Sequence, residues 1–269
     1  MTGVFAAAGS AAGDVGWGGL AVSLLLVGVA VAVSAGQHLG LERSVLWAAT
    51  RALVQLLAVG LALTFILDPG RPLVLAWAWV AMTVVVAAAT VASRAREVPG
   101  AFPLALVACA AATAVTLAVL FGLQVFPLEA RTVVPMAGLT LGNTMTATVV
   151  AGRRIVGELS DKRAEIEARL ALGQPWRDAA RPYVRSAVRT ALVPQVETTK
   201  AVGLVALPGA MTGLILAGVD PLDAVKVQAA VMYVVLASVS TTVTVVAFGL
   251  TRRLFTADHR LVRLRRDAA

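Results

Sequence analysis

The side chains of this chain best suited to touching a solute are uncharged, and they lie inside long apolar stretches. One run reads Pro135-Met136-Ala137-Gly138-Leu139-Thr140-Leu141-Gly142-Asn143-Thr144-Met145-Thr146, and a second reads Ala206-Leu207-Pro208-Gly209-Ala210-Met211-Thr212-Gly213. Asn143, Thr144, Met145, Met211 and Thr212 offer amide, hydroxyl and thioether groups that can line a passage, with Pro208-Gly209 locally breaking the helix. Asn143 is costly in lipid unless it bonds to another helix or to water, so it should face inward. Arg51 and Gln55 are four apart, hence on one helical face, and join the candidates. Snorkelling to the nearby interface accounts for Arg51 as well. Both runs carry Gly-x-x-x-Gly, at Gly138/Gly142 and Gly209/Gly213, where helix backbones can approach closely. Ordinary small-residue packing is therefore the alternative reading of both.

Other chemistry is missing. The sequence holds no Gly-x-x-x-x-Gly-Lys-Ser/Thr phosphate loop, no Gly-x-Ser-x-Gly elbow, no His-Glu-x-x-His helix and no paired intramembrane carboxylates. That argues against an enzyme with its own nucleotide site. It argues less against an ATP-independent secondary transporter or channel, which can work with backbone and neutral polar groups. His38 and His259 stand far apart and join no metal-spaced cluster, and the single Cys109 rules out a disulfide framework. Hard iron favours carboxylate oxygens, which the apolar stretches lack, whereas Met136, Met145 and Met211 suit softer metals. No cofactor of the chain's own is expected, and no metal ligands can be named.

The elements that must position these groups follow from composition. Of 269 residues, 59% are hydrophobic and 14% charged, with a mean hydropathy of +0.84. A soluble chain of this length carries more charge, and here the charge is segregated. Seven stretches, near 17–36, 45–67, 73–92, 101–123, 132–151, 201–219 and 227–250, are long enough to cross about 30 Å of hydrocarbon. Backbone in lipid must bond internally, so the expected fold is all-α, a polytopic transmembrane bundle of about seven spans. Met1 to Gly16 lacks the basic start of a signal peptide, so the first stretch reads as a retained helix. Nineteen Lys and Arg fall in one alternate set of loops and the C-terminal tail, three in the other. This puts the N-terminus outside and the C-terminus inside. The net charge of +8 is then an orienting excess that meets anionic lipid headgroups, and nucleic acid is not an expected partner.

The whole chain, 1–269, reads as one membrane domain containing a cytoplasmic segment at 152–200. Its first half runs from Arg153 to Leu172 without proline, as a helix continuing out of the fifth span. Glu158–Lys162 and Glu165–Arg169 are candidate i,i+4 ion pairs within it. Gly173 stops this helix and Gln174-Pro175 opens the next. There Arg177, Arg181, Arg185 and Arg189 form one ridge, while Trp176, Ala180, Tyr183, Ala187 and Ala191 form an apolar strip. Such a helix can lie in the membrane interface or dock on a partner, and Pro182 should kink or interrupt it.

Three segments resemble a known family. Arg51-Ala-Leu-Val-Gln55-Leu-Leu, Leu141-Gly-Asn-Thr-Met-Thr146 and Gly203-Leu-Val-Ala-Leu-Pro-Gly-Ala-Met-Thr-Gly-Leu-Ile-Leu-Ala-Gly-Val-Asp-Pro221 look like the FetB/YbbM family of ABC-transporter permeases, which includes plant aluminium-sensitivity proteins. The resemblance implies a homodimer in the cell membrane, driven by a separate ATPase subunit that holds the ATP and Mg, and in bacteria a role in iron export. Glu167-Ala168-Arg169-Leu170-Ala171-Leu172-Gly173 is similar to the Glu-Ala-Ala…Gly loop by which importer permeases contact their ATPases. It implies an ATPase-coupling element of Ile166, Glu167, Ala168, Leu170, Leu172, Gly173 and Pro175, with an exposed Trp176 as aromatic anchor. Arg169 replaces the pattern's second Ala and Pro194 lies farther from the glycine, so the contact role carries over and the importer direction does not.

Overall fold

Long apolar runs without a polar face fold as helices because lipid gives their backbone no other partner. The computed structural model describes residues 17–68, 70–203, 208–256, 258 and 260–262, with residues 17, 19–21 and 23 described by backbone alone. These form nine helices: α1 (Trp17–Gly36), α2 (Glu42–Ile66), α3 (Val74–Arg94), α4 (Ala101–Gly122), α5 (Ala130–Asp161), α6 (Arg163–Ala171), α7 (Trp176–Ala201), α8 (Gly209–Leu216) and α9 (Pro221–Leu254). Among the described residues the β features are isolated bridge positions, at Val202 and between Phe255 and Leu261. Helices α2, α3, α4, α5 and α9 are long and apolar enough to cross a membrane. Helix α1 coincides with the first expected span.

The sixth expected span differs. Helix α7 ends at Ala201, Gly203 has a φ of 92°, Pro208 is non-helical, and 204–207 lie outside the described residues. Helix α8 has only eight residues, about 12 Å, too short for the roughly 30 Å hydrocarbon core. The left-handed Gly203 follows the end of α7, and Pro208, which has no N–H to donate, directly precedes α8. After α8, Gly218 adopts a φ of 82°, and Asp220 accepts the Leu222 N–H at 2.9 Å to start α9 with Pro221 in its first turn.

Contacts gather the chain into two compact units, Met1–Arg71 with Gly209–Ala224, and Pro72–Pro208 with Val225–Ala269. In the first, α1 packs on α2, and Ser34 donates to Glu42 at 2.8 Å across the turn between them. In the second, α3, α4 and α5 pack together and α7 lies along α5. Its main core joins Leu104 and Ala108 of α4, Ala151, Ile155 and Leu159 of α5, Ile166 of α6, Ala180, Tyr183, Ala187 and Ala191 of α7, and Val239 to Leu254 of α9. The alanine strip of α7 is thus buried against the chain's own helices and faces neither the membrane interface nor a partner. Alanines four apart let two helices approach closely. The arginine ridge stays exposed.

Helix α5 has 32 residues, about 48 Å, and projects beyond any bilayer core, as expected. The outgoing helix is not continuous to Leu172, because a break at Lys162 separates α5 from α6. The break changes the ion pairs: Lys162 binds Glu165 at 2.8 Å and Arg163 binds Glu167 at 2.6 Å, in place of Glu158–Lys162 and Glu165–Arg169. Glu165 turns instead toward Tyr183, whose hydroxyl donates to it at 2.9 Å. Helix α7 runs through Pro182 without interruption. Pro182 and Asp178, the residue whose carbonyl loses its i+4 donor, are both on the exposed side, where that carbonyl is open to solvent.

Candidate functional site: a polar seam and an elbow

Consecutive helical residues point about 100° apart, so Asn143, Thr144 and Met145 cannot share one wall. Thr144 is fully buried and donates to the Leu141 carbonyl at 3.1 Å. Asn143 is half-buried, and its amide is satisfied by the Leu139 carbonyl at 2.9 Å, one turn back on its own helix. Met145 packs on the cluster around Cys109, Val84 and Leu141. The buried polar face of α5 is Thr140, Thr144 and Thr148, each bonded to an α5 carbonyl. Their i,i+4 spacing is visible in the sequence and was the signal to follow.

Opposite this face stands Cys109 of α4, whose thiol lies within hydrogen-bonding reach of Thr144 and Thr148. A lone cysteine has no spacing pattern, and nothing in the sequence singles it out. One and two turns along α4, Thr113 and Thr116 are buried, and neither hydroxyl finds a hydrogen-bond partner among the described residues. The same holds for Oε1 of buried Gln228 on α9, where Ser238 and Thr242 are also buried. Unbonded polar atoms are expensive in an apolar interior. A seam of α4 and α5 hydroxyls with the Cys109 thiol can exchange vacant positions for contacts to water or a passing polar solute. Among the described residues no three His, Cys, Asp or Glu side chains gather as a metal site.

The other candidates belong to the first unit. Arg51 and Gln55 are exposed on α2, and Met211 and Thr212 are half-buried on α8, where Thr212 donates to the Gly209 carbonyl at 3.1 Å. Among the described residues, and apart from its chain neighbours and the backbone of its own helical turn, nothing lies within 4 Å of where a Cβ would sit on Gly138, Gly142, Gly209 or Gly213. These glycines therefore make no close approach to described parts of the chain.

The second constellation is the elbow between α6 and α7. Gly173, with a φ of 84°, donates to Leu170, and Gln174 donates to Arg169 at 3.1 Å, a paired arrangement that ends α6 in a left-handed turn. Pro175 then caps α7, accepting from Asp178 and Ala179. Leu172 projects at 83% exposure, and Glu167, Ala168, Gly173 and Pro175 are exposed with it. Ile166 is fully buried and Leu170 packs on the core, so both support the elbow from inside. Trp176 is not the exposed anchor expected: it is half-buried, its ring stacked on Phe255 with centroids 5.4 Å apart. Arg163 donates to the Leu261 carbonyl at 2.9 Å, so the segment after α9 is fastened to the elbow at two points.

A family model described as an uncharacterised protein family, UPF0014, matches residues 17–255. The chain belongs to this family. It is 42% identical over 207 residues to the rice UPF0014 membrane protein STAR2, covering 77% of this chain and 72% of that one. To the Escherichia coli probable iron export permease protein FetB it is 32% identical over 248 residues, 90% of this chain and 93% of FetB. To the Arabidopsis protein ALUMINUM SENSITIVE 3 it is 36% identical over 212 residues, 79% and 77% of the two chains. No solved structure matches. Apolar helices long enough to span and membrane-protein relatives together make this UPF0014 member a multi-pass membrane protein.

Proposed function

We propose that this UPF0014 protein is the permease subunit of an ATP-binding-cassette exporter, a homodimer in the cell membrane joined to separate ATPase subunits, moving iron or another metal or small solute outward. The observation that carries the proposal is the continuity of α5. A single helix leads from the polar seam at Thr140–Thr148 to the break at Lys162, and α6 continues from there to the elbow. A push on the elbow is delivered along that helix to the seam. FetB, matched over nearly its whole length, is named as a probable iron export permease, and this supports the cargo class.

The 152–200 segment is then the cytoplasmic coupling element. Leu172, Gly173 and Pro175 form its tip, Glu167 and Ala168 its flank, and Ile166, Leu170 and Trp176 its internal support. The open glycine face at Gly138 and Gly142 suits contact with a second copy. The Cys109 thiol of the seam and the Met145 thioether packed on the cluster around it suit a borderline or soft cation better than a hard one.

The test is ATP-dependent transport in vesicles holding the chain and its ATPase, with a panel of metals and organic solutes. Leu172→Asp should abolish recovery of the ATPase on the purified chain, and Thr144→Val should lower transport with the complex intact. Transport that proceeds without ATP and without a second subunit would overturn the proposal in favour of a secondary transporter.

A further inference from the structure

Helices α4 and α9 leave an open groove of about 400 Å³ between them, lined by Pro103, Leu104, Val107, Val245, Phe248 and Arg253. Gly249 permits a close approach at the groove's edge: a Cβ there would meet Leu104 Cδ1 at 2.7 Å. The walls are apolar. Thr244 also lines the groove, and its hydroxyl donates to the Ser240 carbonyl at 2.8 Å, which turns its polarity back into its own helix. Val107 and Phe248 are 58% and 65% exposed, so no described side chain covers the groove.

The groove has one charged end. Residues 227–251 of α9 carry no charge and span about 37 Å, which puts Arg252 and Arg253 at the headgroup level of a bilayer. Arg253 is exposed and is held over the groove by donating to the Gly100 carbonyl at 2.9 Å. Gly100 has a φ of 63°, and a Cβ there would collide with that guanidinium. The acidic group of the adjoining α3–α4 turn, Glu97, is taken up by Arg153 at 2.5 Å and does not oppose Arg253. From Arg253 the lining runs along α9 to Thr244, about 13 Å into the hydrocarbon.

We propose that this groove binds one anionic phospholipid, its acyl chain along Val107, Val245 and Phe248 and its phosphate on the Arg253 guanidinium. A cation at one end of an apolar slot lying along the membrane normal matches an amphiphile with a single anionic head. Guanidinium suits phosphate because its planar fork donates two hydrogen bonds at once. The proposal is independent of what the protein transports.

Native mass spectrometry of the delipidated protein, titrated with phosphatidylglycerol and with phosphatidylcholine, tests it. Phosphatidylglycerol should bind tighter by on the order of tenfold. Arg253→Gln should remove that preference and Arg253→Lys should keep most of it. Val107→Trp, at an exposed position that tolerates a larger side chain, should weaken both lipids by filling the slot. Thermal unfolding checks that each variant is folded. Equal binding of the two lipids by the native protein, or unchanged binding by folded Arg253→Gln or Val107→Trp, would overturn the assignment. Efficient disulfide dimerisation of Val107→Cys on a Cys109→Ala background would overturn it too, since a second copy would then occupy the groove.

Discussion

Glu165 accepts from both the Lys162 ammonium and the Tyr183 hydroxyl, tying α6 to the break before it and to α7 beside it. Those two donors, Lys162 first, hold its carboxyl below the ordinary value of 4.5, and Glu165 in turn raises Lys162. The signs give the pH window. A depressed carboxyl contributes stability in full above its ordinary pKa and loses it as pH falls through the lower folded value. A raised lysine loses its contribution only well above neutral pH. The elbow should therefore loosen in acid. Amide exchange in α6, corrected for intrinsic rates, should be faster at pH 3 than at pH 7, and Glu165→Gln should shrink that difference. An undiminished difference in the variant would assign the effect elsewhere.

At the scale of an element, α7 is defined by which face it hides. Ala187 is fully buried against the core, so Ala187→Leu overpacks the contact with α5 and should cost about 1–3 kcal/mol. Arg185→Ala, on the exposed ridge, should change stability by no more than roughly 0.5 kcal/mol. Thermal unfolding in detergent compares the two, and equal losses would mean that α7 does not lie on α5 by its alanine face. The strip and ridge of α7 were both legible from four-residue spacing. What covers the strip was not, because periodicity gives a face and says nothing of its partner. Helix existence was equally legible for α1 to α5 and α9, where apolar length decides. At 201–219 the expected local break at Pro208-Gly209 is visible as the end of α7 at Ala201 and the start of the short α8 at Gly209, with 204–207 outside the described residues. The seam was half legible: the three threonines are spaced in the sequence, whereas Cys109 enters only through packing.

At the scale of the molecule, the Lys and Arg asymmetry predicts opposite sides for Gly70 and Asp258, both exposed. On a Cys109→Ala background, Gly70→Cys should label from outside intact cells and Asp258→Cys should not. The reverse pattern would invert the orientation of the protein. One consequence lies in the order of synthesis. The stack of Phe255 on Trp176 and the grip of Arg163 on the Leu261 carbonyl close the elbow with residues made some eighty to a hundred positions later. A ribosome that has finished α7 has therefore made only part of the elbow, and the remainder waits for the last membrane helix to be inserted. Chains that stop at Leu254 would leave Trp176 uncovered. The elbow thus matures only in chains whose final helix is in place, a built-in inspection of the finished product.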